Sequence, residues 1–177
     1  MTAIEETGTA RTGKSTQTGS SQLSAGEATR SLTLPHLPYA DAVHAALAAA
    51  AMPPAVLEVG VRDAQPEAKR RAPVLFMRFV WPVGSTLLTD DVRSKGLTLA
   101  WSHVTGWSAH NAADDAELLE VDPLADPRLI AMAALDLAEQ DLSLLWSPPD
   151  GTAGRWSEAV YLDIALVHFD EQDGGLR

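Results

Sequence analysis

A chain of 177 residues with a net charge of −11 and no cysteine is long enough to bury one core and cannot make a disulfide. Its first residues hold no apolar run of the kind that heads a secretory signal. No stretch approaches the roughly 18 apolar residues of a membrane-spanning helix. The expectation is an acidic protein of the reducing cytoplasm, not a secreted, disulfide-stapled or membrane protein.

The acidity is uneven. Residues 1–33 are electrically balanced, and residues 34–110 carry six acids against seven bases. Residues 111–177 carry fifteen acids against three bases. A surface of that sign repels a phosphate backbone, so nucleic acid is not an expected partner. The middle segment holds a basic run, Lys69, Arg70 and Arg71, flanked by Arg62 and Arg78. Arg70 and Arg71 are candidate contacts for an acidic partner, although a solvated hairpin loop has the same composition.

Residues 1–33 are rich in Thr, Ser, Gly and Gln and nearly free of large apolar side chains. Such a segment cannot bury enough surface to offset its ordering entropy, so it reads as a disordered tail before a single domain over residues 34–177. Within the tail, residues 8–15 (GTARTGKS) match the phosphate-loop pattern. That pattern cradles phosphates only between a buried strand and a helix, and neither flank reads as one, so no nucleotide is expected there.

The domain opens with an alanine-dense helix over residues 39–51, whose stripe of Tyr39, Val43 and Leu47 makes one apolar face. Pro53 and Pro54 end it. In residues 55–62, Leu57, Val59 and Val61 alternate with Glu58, Gly60 and Arg62, the pattern of a half-buried strand. Residues 73–81 (PVLFMRFVW) read as its antiparallel partner across a polar loop. A helical turn is expected at residues 89–93. Residues 97–103 alternate Leu97, Leu99 and Trp101 against Thr98, Ala100 and Ser102. A three-residue connection over 104–106, with Gly106 in the left-handed position, returns the chain as a strand over 107–111. This register sets His103 opposite Trp107, Ser102 opposite Ser108, and Ala100 opposite His110. A short strand is expected over 117–121.

Asp126 followed by Pro127 announces a helix, with the acid as N-cap and proline in the first turn. Its apolar positions are Leu129, Met132, Ala133 and Leu137, and the pattern extends toward Trp146. The break at residues 148–151 leads into EAVYLDIALVHF, residues 158–169. Its β-branched content suits a strand, its Ser157–Glu158 opening suits a helix, and the helix is preferred. The fold class is therefore α+β: a small, mostly antiparallel sheet with an N-terminal and a C-terminal helix packed on it.

Chemistry-bearing constellations are few. A metal needs ligands converging from one side. In the register above His103 and His110 point to opposite faces, so neither a metal nor a cofactor is expected. No nucleophile-elbow pattern accompanies the serines, and the acids from Asp114 to Glu120 suit a solvated loop. Trp101 completes the apolar side of its strand. Trp107, just after the turn and beside His103, is the more exposed of the two, and with His103 it forms a candidate binding surface.

At residues 97–111 the chain resembles a family of small uncharacterised proteins from high-GC Gram-positive bacteria. They share an alanine-rich opening helix, a few strands, a Leu-x-Trp-x-x-x-x-Gly-Trp hairpin and a proline-initiated helix. The matching parts here are residues 38–51, then Leu99, Trp101, Gly106 and Trp107, and residues 126–137. The resemblance spans roughly residues 38–140 and implies a bacterial source and no assigned activity. The preference for arginine over lysine, ten to three, suits a GC-rich genome.

Two functions follow. The first is a non-enzymatic protein-interaction or regulatory module, its partner a protein, a second copy of the chain included. The alternative is a small-ligand-binding protein or enzyme whose site is assembled from scattered residues such as His103, Trp107 and Asp115. A deep pocket joining a histidine to carboxylates favours the second, and an exposed apolar patch favours the first.

Overall fold

The computed structural model describes residues 34–63, 73–113, 115–140, 142, 146–152 and 154–174. The tail with its phosphate-loop match, and the basic run that includes Arg70 and Arg71, lie outside the described residues.

Helix α1 (Leu37–Ala49) opens the domain with Pro38 in its first turn, where the missing N–H costs nothing. It buries Tyr39, Ala40, Val43 and Leu47, the stripe expected from its spacing. It stops before the two prolines. The Ala51 N–H meets Ala48 O and the Met52 N–H meets Leu47 O, with Ala51 left-handed at φ 59°. This is the helix-ending loop in which the left-handed position normally belongs to glycine.

Five strands follow as an antiparallel meander in the spatial order β1-β2-β3-β4-β5. They are β1 (Val56–Arg62), β2 (Val74–Trp81), β3 (Leu97–Ser102), β4 (Gly106–His110) and β5 (Ala116–Leu118). The short helix α2 (Asp90–Arg93) sits between β2 and β3. One face of the sheet carries Leu75, Met77, Phe79, Trp81, Leu97, Leu99, Trp101, Trp107 and Ala109, all buried. Helix α3 (Pro127–Glu139) contacts β3 and packs on α1, closing that face into the core. Asp126 caps α3 by accepting from the Arg128 N–H at 2.8 Å, and Pro127 follows it as expected. Helix α3 ends at Glu139. Met132, expected in the core, is exposed, because the buried face turns on Ile130, Ala133, Ala134 and Leu137.

Trp146 lies beyond the helix and is drawn into the core by two hydrogen bonds. Its N–H donates to Glu117 Oε1 at 2.7 Å and its indole donates to Asp136 Oδ2 at 2.9 Å. The final element is helical, α4 (Ala159–Gly174).

Two expectations are corrected. Strand β1 is not half-buried, since Val56, Leu57 and Val61 are all exposed. It is the outermost strand, and the helical layer sits over the middle of the sheet. The second correction is the β3–β4 register, in which Ser102 pairs with Gly106, Trp101 with Trp107, Ala100 with Ser108, and Thr98 with His110. The turn comprises residues 103–105, one step earlier than expected. Ser102 Oγ accepts from the Thr105 N–H at 3.0 Å and lies 2.7 Å from Thr105 Oγ1, which closes the loop there. Gly106, at φ 72°, becomes the first residue of β4.

Candidate functional site

The register shift decides the fate of Trp107. It faces Trp101 across the sheet and is only 1% exposed, so the solvent-facing role expected of it is overturned. Both indoles surround Tyr39 edge-on, with ring centroids 6.2 and 6.1 Å away. The indole N–H of Trp107 donates to the Tyr39 hydroxyl at 3.2 Å, and that hydroxyl donates to Ala125 O at 2.8 Å. Burial pushes the phenol pKa well above its ordinary value, so the hydroxyl stays protonated and able to donate. Trp101 donates to Pro123 O at 2.7 Å. Trp107, expected to meet a partner, is therefore spent on holding α1 to the sheet, while Trp101, expected in the core, ties the segment before α3 to it.

His103 is likewise committed. Its Nδ1 accepts from the Leu75 N–H at 3.0 Å, which leaves the ring proton on Nε2, 3.2 Å from Asp170 of α4. Its side chain is 3% exposed and meets Phe169 edge-on. Asp115 accepts from the Asn111 side chain at 2.9 Å in the β4–β5 turn. His103, Trp107 and Asp115 thus have separate partners and do not form one site.

Among the described residues, no helix covers the opposite face of the sheet. Large side chains on β2 and small ones on β3 and β4 leave a trough of about 560 Å³, lined by Arg62, Phe76, Arg78, Ala100, Ser102, Thr105, Ser108, His110 and Asn111. The Arg62 guanidinium lies 4.9 Å from the Phe76 ring centre, and Arg78 pairs with Glu58 at 3.1 Å. Ser108 Oγ sits 2.8 Å from His110 Nε2. Burial, then the nearby Arg78 charge, lowers the His110 pKa. A strand spacing of two residues places Ser108 and His110 on one face, a signal present in the sequence itself. Among the described residues, those lining the trough beside His110 are cationic, neutral polar or apolar.

The other unfilled surface belongs to α4. Its inner side buries Ala159 and Leu162. Polar contacts hold both ends. Arg155 reaches the carboxylates of Asp163 at 2.8 Å and Asp122 at 3.2 Å near the start, and His103 meets Asp170 near the end. On the outer side Val160 is 61% exposed, Tyr161 75%, Ile164 54% and Val167 56%. Beyond them His168 and Glu171 form an exposed pair at 3.5 Å. Helical spacing puts these residues on one side of α4. The helix is therefore apolar on both faces, which is why its sequence also suits a strand.

Among the described residues, no helix is long and apolar enough to cross a membrane. Compared with family models, with curated proteins and with solved structures, the chain matches none of them.

Proposed function

We propose that this is a non-enzymatic protein-interaction module of the bacterial cytoplasm that engages its partner through the outward face of α4. The carrying observation is the run of Val160, Tyr161, Ile164 and Val167, each more than half exposed on a helix pinned at both ends. Four such side chains present roughly 400 Å² of mostly apolar surface, the size at which a patch on a monomer is often functional. Tyr161 supplies the amphipathic aromatic anchor that interface centres favour. The resemblance to the small proteins of high-GC Gram-positive bacteria belongs to the same reading, and it assigns no activity.

A second reading places a small anionic ligand in the trough, favoured by Arg62 over Phe76 and the Ser108–His110 pair. Photo-crosslinking separates the two. A photoreactive amino acid at position 164 should give covalent protein adducts in living cells, and one at position 108 should not. Adducts from 108 alone would overturn the assignment to α4.

A further inference from the structure

The spacing of the exposed residues on α4 points to one occupant. We propose that it is the same face of α4 from a second copy of this chain, packed antiparallel about a two-fold axis at Ile164. This rests on the reading of α4 as the contact surface.

A closed pair of identical chains needs a patch complementary to itself. The exposed stripe has that symmetry. Val160 and Tyr161 lie four and three residues before Ile164, and Val167 and His168 lie three and four residues after it. An antiparallel pair therefore sets Tyr161 against Val167 of the second copy, Val160 against His168, and Ile164 against itself. Charge selects the direction. A parallel pair would stack each Glu171 on its own copy, and the antiparallel pair sets the two Glu171 side chains about 21 Å apart along the helices. Standard interfaces bury about 800 Å² per partner, a little over half of it apolar. The roughly 400 Å² of the four α4 side chains is close to that apolar share.

The absence of cysteine makes the geometry directly readable. Sedimentation of the full chain at tens of micromolar should give twice the monomer mass. Ile164→Arg should weaken the pair by about a hundredfold or more, since it sets two charges together at the axis. Ile164 is more than half exposed, so the variant should keep the melting temperature of the parent. On mild oxidation Ile164→Cys should form a covalent dimer. Val160→Cys alone should not, because its two copies lie about 12 Å apart along the helices, at 1.5 Å per residue, beyond disulfide reach. The double variant Val160→Cys/His168→Cys should cross-link again.

A monomeric mass at every concentration, a dimer indifferent to Ile164→Arg, or ready self-cross-linking of Val160→Cys would each overturn the proposal. A monomer that still gives adducts to a different protein from position 164 would overturn the second copy as occupant and leave α4 as the contact surface. A monomer without such adducts would remove both.

Discussion

Removing one oxygen from the core tests how the aromatic cluster holds the fold. Tyr39→Phe keeps the ring, and with it the edge-on contacts to Trp101 and Trp107. It deletes the hydroxyl that accepts from Trp107 and donates to Ala125. Two buried groups, the indole N–H and the Ala125 carbonyl, then lose this partner. Each unsatisfied group costs about 1–3 kcal/mol, so the variant should lose about 2–6 kcal/mol out of a typical stability of about 5–15 kcal/mol. In a protein of this size that lowers the melting temperature by roughly 4–24 °C. Urea melts followed by tryptophan fluorescence read the loss, and the slope with denaturant should stay that of the parent. Trp107→Phe supplies the control. With the indole N–H already gone, adding Tyr39→Phe should cost about 1 kcal/mol less than it does in the parent. A loss under about 0.5 kcal/mol, or costs that simply add, would show that the hydroxyl does not bind α1 to the sheet.

The remaining predictions concern the backbone, the indoles and pH. Trp101→Ala and Trp107→Ala should be similarly damaging in denaturant melts, each by about 3–5 kcal/mol, because both rings are buried and both N–H groups are bonded. Ala51→Gly should raise stability by up to about 1 kcal/mol in the same assay, since it relieves a left-handed alanine at a helix end. Gly96→Ala should cost clearly more than Gly106→Ala. Both glycines are left-handed, but a Cβ at 96 would sit 3.0 Å from Trp81 O, whereas one at 106 meets only Pro123 at 3.7 Å. Burial, its largest cause, lowers the His36 pKa below its usual 6.5, and Nδ1 has no hydrogen-bond partner to receive a proton's charge. The unfolded chain then binds more protons as pH falls below about 6.5, so His36 contributes a loss of stability that grows down to its folded pKa and then levels. His36→Gln should flatten that slope in urea melts between pH 7 and 5.

Much of the fold is legible in the sequence because local rules and tertiary packing agree. The Tyr39–Val43–Leu47 stripe, the alternating Leu97–Leu99–Trp101 and the Asp126–Pro127 start each specify an element whose buried side matches its pattern. The misreadings occur where a side chain or a neighbour decides. Ser102 closes the β3–β4 turn one residue early, and no periodicity reveals a serine taking a turn N–H. That single step moves Trp107 from beside the turn to the second pair of the hairpin, opposite Trp101. Strand β1 alternates as a half-buried strand should, but nothing in its own residues says that it lies at the edge. The Ser108–His110 pair was accessible through strand spacing alone, whereas Arg62 over Phe76 needs the β1–β2 register.

The same reasoning explains why α4 is the surface to watch. A helix that only covers a core needs one apolar stripe, and its other side is free to be polar. On α4 the polar side chains with structural partners, Asp163 and Asp170, flank the buried face and reach Arg155 and His103. They already set the position of the helix. Val160, Ile164 and Val167 add nothing to that placement, since each is more than half exposed. Replacing them with polar residues would leave the inner contacts of Ala159 and Leu162 unchanged. Three β-branched side chains facing water on one short helix also lower its helix propensity by a few tenths of a kcal/mol each relative to alanine. A sequence so rich in alanine elsewhere, as in α1, had the cheaper residue at hand. An apolar outer face that neither builds the core nor favours the helix is what the proposed contact through α4 would explain.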